Sequence, residues 1–140
     1  MKKLYIKSLR HRYAYLILTV IFGLLILYIS TLPYSKIERT LYPEISDLFD
    51  MFNHFLGFTL FNLFLLSSFL AFFNKALSKK VFIAYFTIAF IWGLLCEVSQ
   101  YFMDTRKFQF IDILANTSPS IIVPVIVRKV FKNHITINIT

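Results

Sequence analysis

Residues 13–32 form a run of 20 without one charged side chain, and two more long apolar runs follow at 51–73 and 81–103. At 1.5 Å rise per residue, 20 helical residues cover about 30 Å, the thickness of a bilayer's hydrocarbon core. In lipid every backbone N–H and C=O must be paired internally, so such runs fold as helices. Composition agrees: 58% of the 140 residues are hydrophobic, with 17 Phe and 8 Tyr, more apolar side chain than a soluble domain of this length buries. A water-soluble globular enzyme is excluded. The net charge of +8 would point to nucleic acid in a soluble protein, but here the charges fall between the apolar runs, and no nucleic-acid partner is expected. Cys96 is the single cysteine, which excludes an intramolecular disulfide and a cysteine metal cluster.

The basic residues Lys2, Lys3, Lys7, Arg10 and Arg12 resemble the start of a signal peptide. The apolar run behind them is too long for one, and residues 30–33 offer no small-x-small cleavage site, so span one is expected to stay attached. The short basic stretch 74–80 makes spans two and three an antiparallel hairpin. The fourth run, 110–127, is interrupted by Asp112, Asn116, Pro119 and Pro124 and could instead be re-entrant. Charge decides the matter: with four spans, eleven of the fifteen Lys and Arg fall on one side. By the positive-inside rule that side is cytoplasmic. The expected fold is therefore all-α, one domain over residues 1–140, an integral membrane four-helix bundle of the plasma (cytoplasmic) membrane with both termini cytoplasmic.

All seven acidic residues (Glu38, Glu44, Asp47, Asp50, Glu97, Asp104, Asp112) fall in the outer loops or at the outer ends of spans. Either an outward functional surface or a solvated acidic rim accounts for this. The loop 34–49 reads as an interfacial segment of near-helical spacing broken at Pro43. The alternating tail 135–140 is too short to be expected to pair as a strand.

Inside the spans, Asp50 and His54 are four residues apart and share a helix face; so do Asp112 and Asn116. Glu97 and Gln100 are three apart, with Glu97 about 24 Å along span three and still within the hydrocarbon slab. Arg106 lies in the tight connection between spans three and four, so these pairs converge at one depth. Structural roles stand beside functional ones. Asp50 would cap span two, His54 would bond Asp50, Arg106 would pair with Glu97 or Asp112, and Gln100 and Asn116 would tie helices together. Asn62, Ser67 and Ser68 are assigned to that tying role, Gly23, Gly57 and Gly93 to close packing, and Trp92 to packing.

The joint spacing resembles the VanZ-like family of small integral membrane proteins. The first motif, Asp-Lys-x-x-His-Phe, stands here as Asp50-Met51-Phe52-Asn53-His54-Phe55, with Met51 in place of lysine. The longer second motif is matched by Glu97, Gln100, Arg106, Phe108, Asp112 and Asn116. Pro119 replaces a usual glycine; lacking an amide hydrogen, it cannot bond back to the Ala115 carbonyl and is expected to bend span four. The resemblance covers nearly the whole chain and implies a link to the cell envelope and to glycopeptide (teicoplanin-type) tolerance, but no established reaction.

Two functions follow as expectations. In the first, Asp50, His54, Glu97, Gln100, Arg106, Asp112 and Asn116 form a ligand site at the outer leaflet for an envelope lipid or amphiphile. There the planar fork of Arg106 holds a phosphate or carboxylate. His54, Glu97 and Asp112 are the candidates for proton transfer, although no catalytic set is complete. In the second, the chain is a non-catalytic accessory or scaffold subunit and its partners are membrane proteins. No cofactor or metal is expected. A transporter is disfavoured because no inverted repeat is visible.

Overall fold

A computed structural model of the chain describes residues 2–32, 43–73, 76–103, 109–130 and 136–137, with side chains for 11–32, 48–73, 78–103 and 109–130. The order is α1 (Lys2–Ser30), α2 (Pro43–Phe72), β1 (Ala76–Leu77), α3 (Lys79–Tyr101), α4 (Phe110–Thr117), α5 (Pro119–Val130) and β2 (Thr136–Ile137). Four stretches are long and apolar enough to cross a membrane: His11–Ser30, Leu48–Phe72, Lys79–Tyr101 and, running through α4 and α5, Phe110–Val130. They match the four expected spans to within three residues at each end.

The surface is apolar where a soluble bundle's is polar, and the core, built on Phe58, Leu66 and Ala89, also encloses polar side chains. Ile17, Leu24 and Tyr28 are 57%, 54% and 63% exposed, whereas Asn62, Glu97, Asn116 and Ser120 are fully buried. That distribution fits a lipid surround, where apolar side chains gain nothing by hiding and polar ones must find partners.

Close pairs set the register. Tyr13 meets Phe72 edge-on at 5.9 Å between ring centroids, a Cβ on Gly23 would touch Phe61, and one on Gly57 would touch Ile26. As the residue number rises along α1 it falls along α2, so the two are antiparallel. Phe69 against Tyr85 and His54 against Gln100 show the same for α2 and α3. α2 is central, touching every other helix. Its contact with α3 includes the Tyr85 hydroxyl donating to Asn62 Oδ1 at 2.7 Å. Thr19 and Ser68 share a hydrogen bond of 2.9 Å between α1 and α2. Asn62 and Ser68 thus tie helices as expected, but Ser67 does not: its hydroxyl donates to Leu63 O in its own helix.

Three expectations are corrected. Pro43 opens α2 rather than breaking a helix, because proline's missing N–H costs nothing in a first turn. Asp50 consequently sits two turns inside α2 and does not cap it. The tail does pair: Ala76 and Leu77 form a parallel ladder with Thr136 and Ile137. This sets Thr136 and Ile137 beside Ala76 and Leu77, at the same end of the bundle as the start of α1.

Span four breaks where Pro119 removes a donor. Ser118 remains in right-handed helical conformation, its amide donating to Leu114 O, while Ile121 and Ile122 both donate to Ser118 O at 3.1 Å. The Ala115 carbonyl, which Pro119 cannot serve, accepts the Ser118 hydroxyl at 3.4 Å. These backbone bonds through Ser118, with its hydroxyl on the Ala115 carbonyl, carry α4 into α5 as one span across the break.

Candidate functional site

At the end of the bundle away from β1 and β2, six of the seven expected site residues meet. Asp50 and His54 come from α2, Glu97 and Gln100 from α3, and Asp112 and Asn116 from α4, and all are buried. Arg106 and Phe108 lie outside the described residues. Helical periodicity aims each pair inward; the depth at which they meet is set by α3 against α4. The Asn116 Cβ is 3.0 Å from where a Cβ on Gly93 would stand, so glycine there permits the approach. Gly23 serves similarly under Trp92, whose indole N–H donates to the Gly23 carbonyl at 3.2 Å. Gly57 has ordinary room, with Ile26 3.8 Å from an added Cβ.

His54 is the hub. Its Nδ1 is 2.9 Å from Asn116 Oδ1, an acceptor, so Nδ1 carries the hydrogen. Its Nε2 is 3.2 Å from Gln100 Nε2, a donor, so Nε2 presents its lone pair. One neutral tautomer satisfies both bonds. Asn116 is anchored in turn: Nδ2 donates to Glu97 Oε1 at 3.1 Å and lies 3.5 Å from the Gly93 carbonyl. The ring is thus oriented by Asn116 and Gln100 rather than by Asp50, whose Oδ1 is 3.7 Å from Nε2, beyond hydrogen-bond length. Glu97 Oε1 stands 3.8 Å from Nδ1. The Glu97 carboxyl is fully buried and also lies against the backbone of Gln109.

A cavity of about 460 Å³ between α1 and α2 leads to this cluster. Its apolar walls are Ile26, Ile29, Leu56, Gly57 and Leu60; its polar end is Ser30, Asn53, Asp50 and His54. Ser30 and Asn53 were not among the expected site residues. Ser30 closes span one, where its hydroxyl donates to Leu27 O. A second cavity of about 480 Å³, between Leu16, Val20, Phe61, Leu65 and Trp92, is almost wholly apolar. Its two hydroxyls, Thr19 and Ser68, bond each other.

Comparison of the chain with family models, curated proteins and solved structures finds no match.

Proposed function

We propose that the chain is a VanZ-like protein of the plasma membrane, with both termini cytoplasmic, that binds an envelope lipid or amphiphile at the outer leaflet. The observation that carries this reading is the cavity between α1 and α2. One apolar trough, as wide as the gap beside Gly57, ends on the buried polar side chains Asp50 and His54. An amphiphile has the matching form, an apolar chain joined to a polar head. A chain lying along Ile26 and Leu60 replaces lipid contacts with protein contacts, and the head reaches the polar end of the trough at Ser30, Asn53, Asp50 and His54. Arg106, next to the cluster in sequence, supplies the planar fork that grips a phosphate or carboxylate on that head. The resemblance of the two motifs to the VanZ-like family supports a ligand from the cell envelope and a physiological effect on glycopeptide tolerance.

Native mass spectrometry of the purified protein tests this reading. Gly57→Leu fills the trough without touching the polar cluster, and it is expected to strip co-purifying lipid while thermal stability in detergent holds. Arg106→Lys keeps the charge but loses the fork, and is expected to fold and to release anionic lipid. Lipid retention equal to wild type in both variants refutes the site, and stoichiometric membrane-protein subunits in place of lipid would establish the scaffold role instead.

A further inference from the structure

We propose that the second cavity, the apolar groove between α1, α2 and α3, holds an acyl chain of one anionic phospholipid drawn from the leaflet at the basic end of the bundle. The groove shares no residue with the trough that ends on Asp50 and His54, and the proposal does not depend on that trough's ligand.

The dimensions fit a lipid chain. The α1 wall runs from Leu16 to Leu24, about 12 Å at helical rise, and the α2 wall from Phe61 to Phe72, about 16 Å. Half of a hydrocarbon core is about 15 Å, so the groove is as long as one leaflet's acyl layer. Its inner end is built by Gly23, Phe61 and Trp92: the indole donates to Gly23 O at 3.2 Å and stacks on Phe61 with ring centroids 6.2 Å apart. Its side is open to the bilayer, since Leu16, Val20 and Ile88 are 41%, 52% and 45% exposed. An unfilled groove forfeits the dispersion contacts of its lining. Thr19 and Ser68, its two hydroxyls, bond each other, so it has nothing for a polar head and three helices for a hydrocarbon chain.

Charge selects the lipid. The outer end of the groove, at Leu16 and Phe72, is the end where α1 and α3 begin. Lys79 and Lys80 open α3 there and are exposed, and Arg12 stands one helical turn before Leu16 on the same face of α1. No acidic residue opposes them, because none occurs before Glu38, between Asp50 and Glu97 or after Asp112. Each lysine or arginine close to a membrane surface favours an anionic headgroup by roughly fivefold. A zwitterionic lipid has the same chains to offer the groove but gains far less from these charges.

Trp92 is the chain's single tryptophan and lines the groove, so a brominated acyl chain seated there quenches its fluorescence by contact. The full chain is reconstituted in phosphatidylcholine vesicles carrying increasing fractions of phosphatidylglycerol, or of phosphatidylcholine, brominated on the distal half of the chains. Half-maximal quenching is expected at a fraction about tenfold lower for phosphatidylglycerol. Lys79→Gln combined with Lys80→Gln should remove most of that preference. Val20→Phe and Ile88→Phe fill the groove from two different helices at exposed positions, and each should weaken quenching by both lipids severalfold. Gly57→Leu, which fills the other trough, should quench as wild type does. Equal quenching of the wild type by the two lipids overturns the proposal. So does quenching that neither Val20→Phe nor Ile88→Phe alters, or a preference undiminished by loss of both lysines. Absence of quenching by either lipid, with the chain crosslinking as a dimer in the same vesicles, gives the groove to a second copy and overturns it too.

Discussion

The Nδ1–H of His54 donates to Asn116 Oδ1 across 2.9 Å, joining α2 to α4 inside the bundle. The Asn116 amide continues to Glu97 on α3, so one asparagine links three helices. A buried network of this kind fixes the relative rotation of its helices, because every alternative strands a donor or acceptor.

Asn116→Ala leaves both the His54 N–H and Glu97 Oε1 without this partner. Each buried group stranded costs about 1–3 kcal/mol. A clear drop in the detergent unfolding midpoint is expected, and a midpoint equal to wild type would show that the network does not brace the bundle.

Gly93→Ala and Gly57→Ala should differ sharply. The added methyl at position 93 meets the Asn116 Cβ at 3.0 Å, while at position 57 its nearest neighbour is 3.8 Å away. Overpacking costs about 1–3 kcal/mol, so Gly93→Ala should destabilise and Gly57→Ala should stay near neutral. Thermal unfolding of the two purified variants, side by side, checks the order.

Tyr85 and Asn62 bond at 2.7 Å between α3 and α2. Hydrogen bonds between membrane helices couple by about 0.6 kcal/mol on average and rarely above about 2. A double-mutant cycle with Tyr85→Phe and Asn62→Leu should return a coupling in that range; zero coupling would mean the bond contributes nothing to helix association.

Orientation is tested in a Cys96→Ala background with single cysteines at the two ends of α3, Ser78→Cys and Met103→Cys. Both positions are exposed. With cytoplasmic termini, an impermeant thiol reagent on intact cells labels Met103→Cys and spares Ser78→Cys. The opposite pattern inverts the protein.

Hydropathy located the first three spans and the Lys and Arg balance decided the fourth, because crossing lipid constrains length, polarity and flanking charge, all of which can be counted along the chain. Helical period likewise placed Asp50 with His54 and Asp112 with Asn116 on common faces. The wiring was not legible. Asp50 is nearest to His54 in sequence, yet the ring bonds to Asn116 and Gln100, 62 and 46 residues away. Those partners depend on how far α3 and α4 approach and turn about their axes, which Gly93 against Asn116 sets through packing. The trough between α1 and α2 has the same origin: none of its walls is unusual in the sequence, and it exists because two smooth helix faces leave a gap beside Gly57. The alternation of the tail is visible in the sequence, but the pairing of Thr136 and Ile137 with Ala76 and Leu77 is not, since so short a ladder forms only once the helices bring its strands together. Local chemistry dictates which segments are helices and which faces are polar; contacts between segments distant in the chain dictate what each polar group bonds.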